Sequence, residues 1–395
     1  MRKWLLALIT SVSVACDNSS APPIAAEITV TPADTAIERL TSLQLTVTVR
    51  DSSGNIIPDA PVQWQSLNPT IATVSNTGLV HSEGPAGVAD IIAVIDSLGG
   101  VAEVLVLDSL LVARAKLPES SYAGAISGNV AYVGQTYVQS IRRADLPSRA
   151  FAQPVTVGDT PTEMAFNSTG SRLYVTNQYS SSISVINVGT NAVIDAIPVG
   201  NRPFEVIVEP GDSILWTGKI DSLYGIRLAT KEIIARFLIG DVGNGVAIAR
   251  DTLLYVSTHN TGTVVEINLR TRTQGRTFSV GGVPQKLVVS PSGNELYIAN
   301  ESGYIQFWNL VAGTQIGSNL MLPSAAYGLA RRATNGLLYA TSASFGGGYL
   351  YVIDPVARTL VHSSVVGGGT RHITFNANGS VGIVPNEGGW VDFIR

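Results

Sequence analysis

The sequence predicts an all-β protein in two parts. A small β-sandwich covers about residues 27–107, and a seven-bladed β-propeller, closed by a strand at about 110–117, covers 108–395. Three observations carry this. A short motif returns about every 40 to 42 residues through the C-terminal three-quarters of the chain, the mark of a repeat architecture. Ahead of it, short strands of alternating apolar and polar residues follow at about ten-residue spacing, as in a sandwich. Gly is 39 of 395 residues, above the usual ~7%, which suits a fold with many tight turns.

Composition narrows the function classes. Hydrophobic residues are 45%, enough for substantial cores, while charged residues are only 14%. Lys+Arg 25 against Asp+Glu 29 leaves a net charge of −4. That balance excludes general nucleic-acid binding, which needs a basic surface. One cysteine excludes an internal disulfide framework and any thiolate metal cluster.

At the N-terminus, Arg2 and Lys3 precede the apolar run Trp4-Leu5-Leu6-Ala7-Leu8-Ile9, and small residues continue to Ala15. The segment is shorter than the ~20 apolar residues of a permanent span and reads as a secretory signal. Cys16 follows Val14-Ala15 directly. This resembles a bacterial lipoprotein signal, although Ser13 stands where that family prefers Leu. The resemblance implies that residues 1–16 are the signal with a lipidated Cys16, and that residues 17–26 are a tether. A lipidated Cys16 leaves no free thiol for nucleophilic or redox chemistry.

The sandwich strands are expected at Ile28-Val30, along Leu43-Leu45-Val47-Val49, at Val62–Ser66 around Trp64, at Ile71–Val74, at Leu79-Val80, and at 89–94 and 101–107. Turns fall at Asp51–Asn55 and Ser75–Gly78. Trp64, in mid-strand, is expected in the core. The pieces Ile28-Thr29-Val30-Thr31-Pro32, Val62-Gln63-Trp64 and Ile71-Ala72-Thr73-Val74 leading to Gly78-Leu79-Val80 resemble the bacterial Ig-like domain, group 2. That family implies a spacer or adhesion module on surface proteins.

The repeat is plain when Leu173-Tyr174-Val175-Thr176-Asn177, Leu254-Tyr255-Val256-Ser257-Thr258 and Leu296-Tyr297-Ile298-Ala299-Asn300 are stacked with Ile214–Gly218 and Leu338–Ser342. Weaker copies stand at Ala131-Tyr132-Val133-Gly134 and Gly382–Asn386. Seven copies of about four strands describe a seven-bladed propeller. One blade has its strands at about 162–166, 172–177, 182–188 and 193–199. The last copy holds three strands, so the orphan strand Leu110–Leu117 is assigned to complete it, which removes exposed sheet edges. Tyr174-Val175-Thr176-Asn177 resembles the YVTN-type repeat of bacterial surface and periplasmic proteins, a resemblance specific for architecture.

One face of such a ring is formed by the loop entering each innermost strand and the loop between the second and third strands. Register places Glu163, Glu205, Lys286 and His372 at the starts of inner strands, with Arg202 and Arg371 beside them. The other loop brings Lys219, His259 and Glu301, among others. These nine residues are the expected binding residues at the channel mouth; a merely solvated loop face is the plainer alternative. No catalytic set is assigned. Glu163 and Glu205 could form an acid/base pair, but an exposed structural pair is the expectation. No metal site is expected, because His81, His259, His362 and His372 lack a local ligand spacing. No cofactor motif is found.

Two function classes compete. The first is a non-catalytic envelope lipoprotein, a monomer that meets the membrane only through its lipid and recognises a protein, peptide or glycan. The expected address is the outer membrane, the cell surface or the periplasmic side of the inner membrane. The alternative is a propeller enzyme, a lyase or cofactor-dependent oxidoreductase, with its site at the same mouth.

Overall fold

A computed structural model describes residues 23–82, 87–107, 110–344, 347–366 and 368–395. The expected signal, Cys16 and most of the tether lie outside the described residues. The chain divides into two compact units between residues 108 and 109.

In the first unit, Gly87–Ile95 is buried at every second residue, the period of a strand with one face in a core. Ala89, Ile91 and Ala93 pack there with Val104 and Val106, and Trp64 lies against the same core. Gly87–Ile95 is flanked by Gln63–Ser66 and Leu98–Leu107. Two differences from the sequence reading have physical causes. The run Leu43–Val49 is not one strand: Ser42–Gln44 pairs with Leu79–His81, whereas Thr46–Asp51 pairs with Ala25–Thr31. The break falls at Leu45, whose N–H donates to the Gly78 carbonyl at 2.9 Å. Gly78 is required there, with φ +80° and space for a Cβ filled by the Leu45 carbonyl and the Trp64 ring. The second difference is an added strand, Asp34–Glu38, parallel to Leu98–Leu107. Ile37 is its only large apolar residue, so no alternation announces it.

In the second unit the described residues form seven antiparallel sheets, in the manner of propeller blades. One runs Pro161–Phe166, Arg172–Asn177, Ser182–Asn187, Ala192–Pro198. Two others have a divided outer strand: Ala150–Phe151 with Val155–Thr156, and Thr314–Gln315 with Leu320–Met321. The second strand of the Pro161–Phe166 sheet is buried at five consecutive residues, because sheets cover both of its faces. Its aromatic position supplies the packing between sheets. Trp216 sits among Leu254 and Val256 of the next sheet, and Tyr255 among Leu296 and Ile298. The polar ends of these rings are partnered as burial demands: Trp216 Nε1 donates to Glu209 at 2.6 Å and the Tyr255 hydroxyl to Glu266 at 2.8 Å.

The remaining sheet joins the two ends of the unit. Leu111–Lys116 pairs with Trp390–Ile394, which pairs in turn with Gly382–Asn386. Arg114 Nε donates to Asp392 Oδ1 at 2.7 Å, with both side chains almost wholly buried, and a second Arg114 nitrogen donates to the Val366 carbonyl. The ring of Trp390 lies under the ammonium of Lys116 at 3.9 Å. The innermost strands adjoin one another in chain order, and Ser121–Ser127 contacts both Pro161–Phe166 and Thr374–Phe375, so the series returns to its start.

Candidate functional site

The site is built by a recurring irregularity. Five innermost strands carry a register shift at their entry, between Ser121 and Gly124, Pro161 and Glu163, Pro203 and Glu205, Gly243 and Gly245, and Pro284 and Leu287. Such bulges turn a side chain out of the regular pleat. The backbone at this point is held by a hydroxyl of the second strand: Thr176 Oγ1 accepts from the Glu163 N–H at 2.9 Å, and Ser257 Oγ from that of Gly245 at 2.8 Å. The equivalent position holds Glu163, Glu205, Gly245, Lys286, Gly328 and His372 in successive sheets. Gly is needed at two of them because a Cβ would meet the Gln285 carbonyl at 2.1 Å and Thr341 Oγ1 at 2.5 Å.

Lys286 reaches across to both acidic partners. Its ammonium donates to Glu205 Oε2 at 2.7 Å and to Glu163 Oε2 at still closer range. His372 Nε2 lies 3.1 Å from Glu163 Oε1. Glu163 and Glu205 are 6% and 4% exposed, which corrects the expectation of an exposed pair: the bulge directs them inward, and Lys286 makes that burial tolerable. Burial raises the pKa of both carboxyls, but they part company. Lys286 and His372 outweigh burial at Glu163 and hold it well below the usual carboxylate range. At Glu205 burial prevails, aided by the Glu163 charge and only partly opposed by Lys286, so its carboxyl is pushed up. Burial favours loss of the Lys286 proton, yet the two carboxylates more than reverse that.

These four residues line a cavity of about 290 Å³. Tyr122, Phe204, Tyr327 and Gln285, each one residue before the inward-turned position, form much of its wall. Arg371 also lines it, with its Nε 2.5 Å from Glu387 Oε1 and its guanidinium 4.6 Å over the Tyr327 ring. Beside the cavity, Gln285 Nε2 donates to Glu301 Oε2 at 2.7 Å and lies 3.3 Å from His259 Nδ1, while the Tyr327 hydroxyl donates to Glu301 Oε1 at 2.9 Å.

Of the nine residues expected at the mouth, Glu163, Glu205, Lys286, Arg371 and His372 line the cavity. Glu301 reaches it through Gln285 and Tyr327, and His259 through Gln285. Arg202 is an exposed residue 4.7 Å over the Tyr179 ring and is not part of the lining. Lys219 is a correction. It is 1% exposed, and its ammonium donates to the Val199 carbonyl at 2.6 Å and covers the Tyr224 ring at 3.6 Å. It ends the second strand of its sheet, where Asn300 and Asn386 elsewhere donate to the carbonyls of Gly281 and Val366. Lys219 therefore does the same structural work with a longer side chain. The aromatic wall escaped the sequence reading, although the signal was present: Tyr122, Phe204 and Tyr327 share one repeat position. Among the described residues, no group of three or more His, Cys, Asp or Glu is placed to hold a metal ion.

Residues 24–106 match the family model of the bacterial Ig-like domain, group 2. The comparison with curated proteins found no match. Among solved structures, the hydrazine synthase of Kuenenia stuttgartiensis is similar in fold, with a TM-score of 0.63 at 18% identity over 71% of this chain and 96% of that one. Such a likeness concerns the fold of the β-rich region, since one fold hosts many chemistries.

Proposed function

We propose that the chain is a bacterial envelope-anchored recognition protein. In this reading the second unit is a seven-bladed, YVTN-type propeller latched by Leu111–Lys116, and its mouth binds a protein segment, a peptide or a glycan. The Ig-like module is a spacer, and a lipid on Cys16 holds the chain to the outer membrane, the cell surface or the periplasmic side of the inner membrane. It acts as a monomer with no role for nucleic acid.

The observation that carries the recognition reading is the cavity at the inner-strand entries. Its charged floor is held together by the one ammonium of Lys286, and its wall mixes aromatic faces with amide and guanidinium groups. A concave site with a few fixed polar groups among aromatic ones suits binding. Capture from envelope extract tests this reading, with the full chain compared with its Phe204→Ala and Arg371→Ala variants. Loss of the captured partner in both variants supports the cavity as the binding face, and an unchanged partner removes it. Detergent partitioning of wild type against Cys16→Ser tests the anchor, since only a lipidated chain enters the detergent phase.

One observation favours the enzyme reading. Two neighbouring carboxyls whose pKa values are driven apart, Glu163 down and Glu205 up, are the usual equipment of acid–base chemistry. A visible absorbance band in the purified chain would turn the balance toward a cofactor enzyme.

A further inference from the structure

The cavity lining holds three carboxylates, Glu163, Glu205 and Glu387, against two permanent cations, Lys286 and Arg371. Arg371 serves Glu387, so Glu163 and Glu205 divide one ammonium. A buried charge without a counterpart is costly, and the surplus is met either by a proton or by a cation from outside.

The hydrogen bonds show where that cation would sit. Glu163 uses both oxygens, Oε2 on Lys286 and Oε1 on His372 and the Met164 N–H at 3.1 Å. Glu205 spends Oε2 on Lys286, but Oε1 receives only a long 3.4 Å contact from the Val206 N–H. A carboxylate offers about four acceptor sites, so Glu205 keeps capacity to spare. A second observation is independent of the acids. His372 is 9% exposed and lines the cavity, and its Nδ1 has no partner. Nε2 faces Glu163, which leaves Nδ1 as the ring atom still to be partnered. The spare acceptor capacity of Glu205 calls for a ligand that donates, and the adjoining Phe204 and Tyr122 offer faces to an apolar or aromatic body.

We propose that the cavity binds the protonated amine of an organic cation, with the ammonium at Glu205 and the carbon skeleton against Phe204 and Tyr122. The proposal rests on the cavity being a binding site. A neutral sugar would leave Glu205 to be balanced by a proton alone, and an anion would add to the negative charge. Burial already inclines Glu205 to hold a proton, so an arriving ammonium displaces one.

Titration calorimetry of the full chain near neutral pH tests this, with phenethylamine as probe and 2-phenylethanol and 3-phenylpropionate as its neutral and anionic counterparts. The amine should bind at least about tenfold more tightly than either, with a heat that differs between phosphate and Tris because a proton is released. Glu205→Gln, which keeps the shape and the bond to Lys286, should weaken the amine by at least about tenfold and remove the buffer dependence. Equal or tighter binding of the alcohol or the anion overturns the proposal, as does amine binding indifferent to Glu205→Gln. Failure of all three probes at millimolar concentration also overturns it, while capture from envelope extract still judges the recognition reading separately. If Glu205→Gln does not fold, the buffer comparison on the wild type decides, and absence of proton release overturns the proposal.

Discussion

Replacing Lys286 by Met removes one ammonium and keeps most of the side-chain volume. The partners left behind are Glu163 and Glu205, both nearly buried, with His372 and the Met164 N–H, each 3.1 Å from Glu163, among the polar neighbours that remain. In the wild type Glu205 already leans toward its protonated form, so the new burden falls on Glu163. An unpaired buried carboxylate escapes by taking a proton. At pH 7 that costs a carboxyl of ordinary pKa about 1.4 kcal/mol for each pH unit of difference, or about 3–4 kcal/mol in all, in line with the ~3–5 kcal/mol typical of breaking a buried pair. At pH 5 the same step costs less than about 1 kcal/mol. Urea denaturation of the full chain, followed by tryptophan fluorescence at both pH values, reads the difference directly. The expected loss is about 3–4 kcal/mol at pH 7, shrinking by about 2–3 kcal/mol at pH 5. A loss below about 1 kcal/mol at pH 7, or an equal loss at both pH values, would refute the view of Lys286 as counter-charge to the two acids.

The same site shapes the pH dependence of stability. Glu205 has a folded pKa of about 8 against 4.5 for the free group, so its contribution is full below about pH 4.5 and is lost as pH rises toward 8. The wild type should weaken across that window by roughly 4 kcal/mol relative to Glu205→Gln, which lacks the slope. Glu163 works in the opposite sense, losing its contribution as pH falls from 4.5 toward about 2, so Glu163→Gln should flatten the acid limb of the stability profile. Arg114→Met leaves Asp392 buried and alone and should cost about 3–5 kcal/mol by denaturant unfolding, whereas Arg114→Met combined with Asp392→Leu should recover a large part of that. Gly218→Ala places a methyl group 2.4 Å from the Gly243 carbonyl and should lower the melting temperature, with a cost of about 1–3 kcal/mol.

How much of this was legible in the sequence depends on what each feature repeats. The second strands could be read because Leu-Tyr-Val-Thr-Asn and its relatives occupy one buried environment after another, so the same chemistry returns at a fixed interval. The assignment of Leu111–Lys116 to the last sheet came from counting strands, and the pairing with Trp390–Ile394 follows that count. Lys219 misled because its sequence position matches that of Glu301's neighbour Asn300, while its role is set by a carbonyl that only the folded sheet presents. Exposure of Glu163 and Glu205 was misjudged for a related reason. Their partner Lys286 is 81 residues or more away, and nothing local reveals that one ammonium will serve both. Asp34–Glu38 was missed because an edge strand with one large apolar residue has no periodicity to detect.

The pairing of Leu111–Lys116 with Trp390–Ile394 also governs the order in which the molecule is made. During synthesis the strand near residue 111 emerges long before its neighbour, and Arg114 waits through 278 residues for Asp392. Until Trp390–Ile394 arrives, that backbone edge stays open and its guanidinium stays solvated. Contacts this distant in sequence form slowly, so the unit reaches its native state only after Trp390–Ile394 has been made, and a chain cut before that strand carries an unfilled slot able to accept a foreign one.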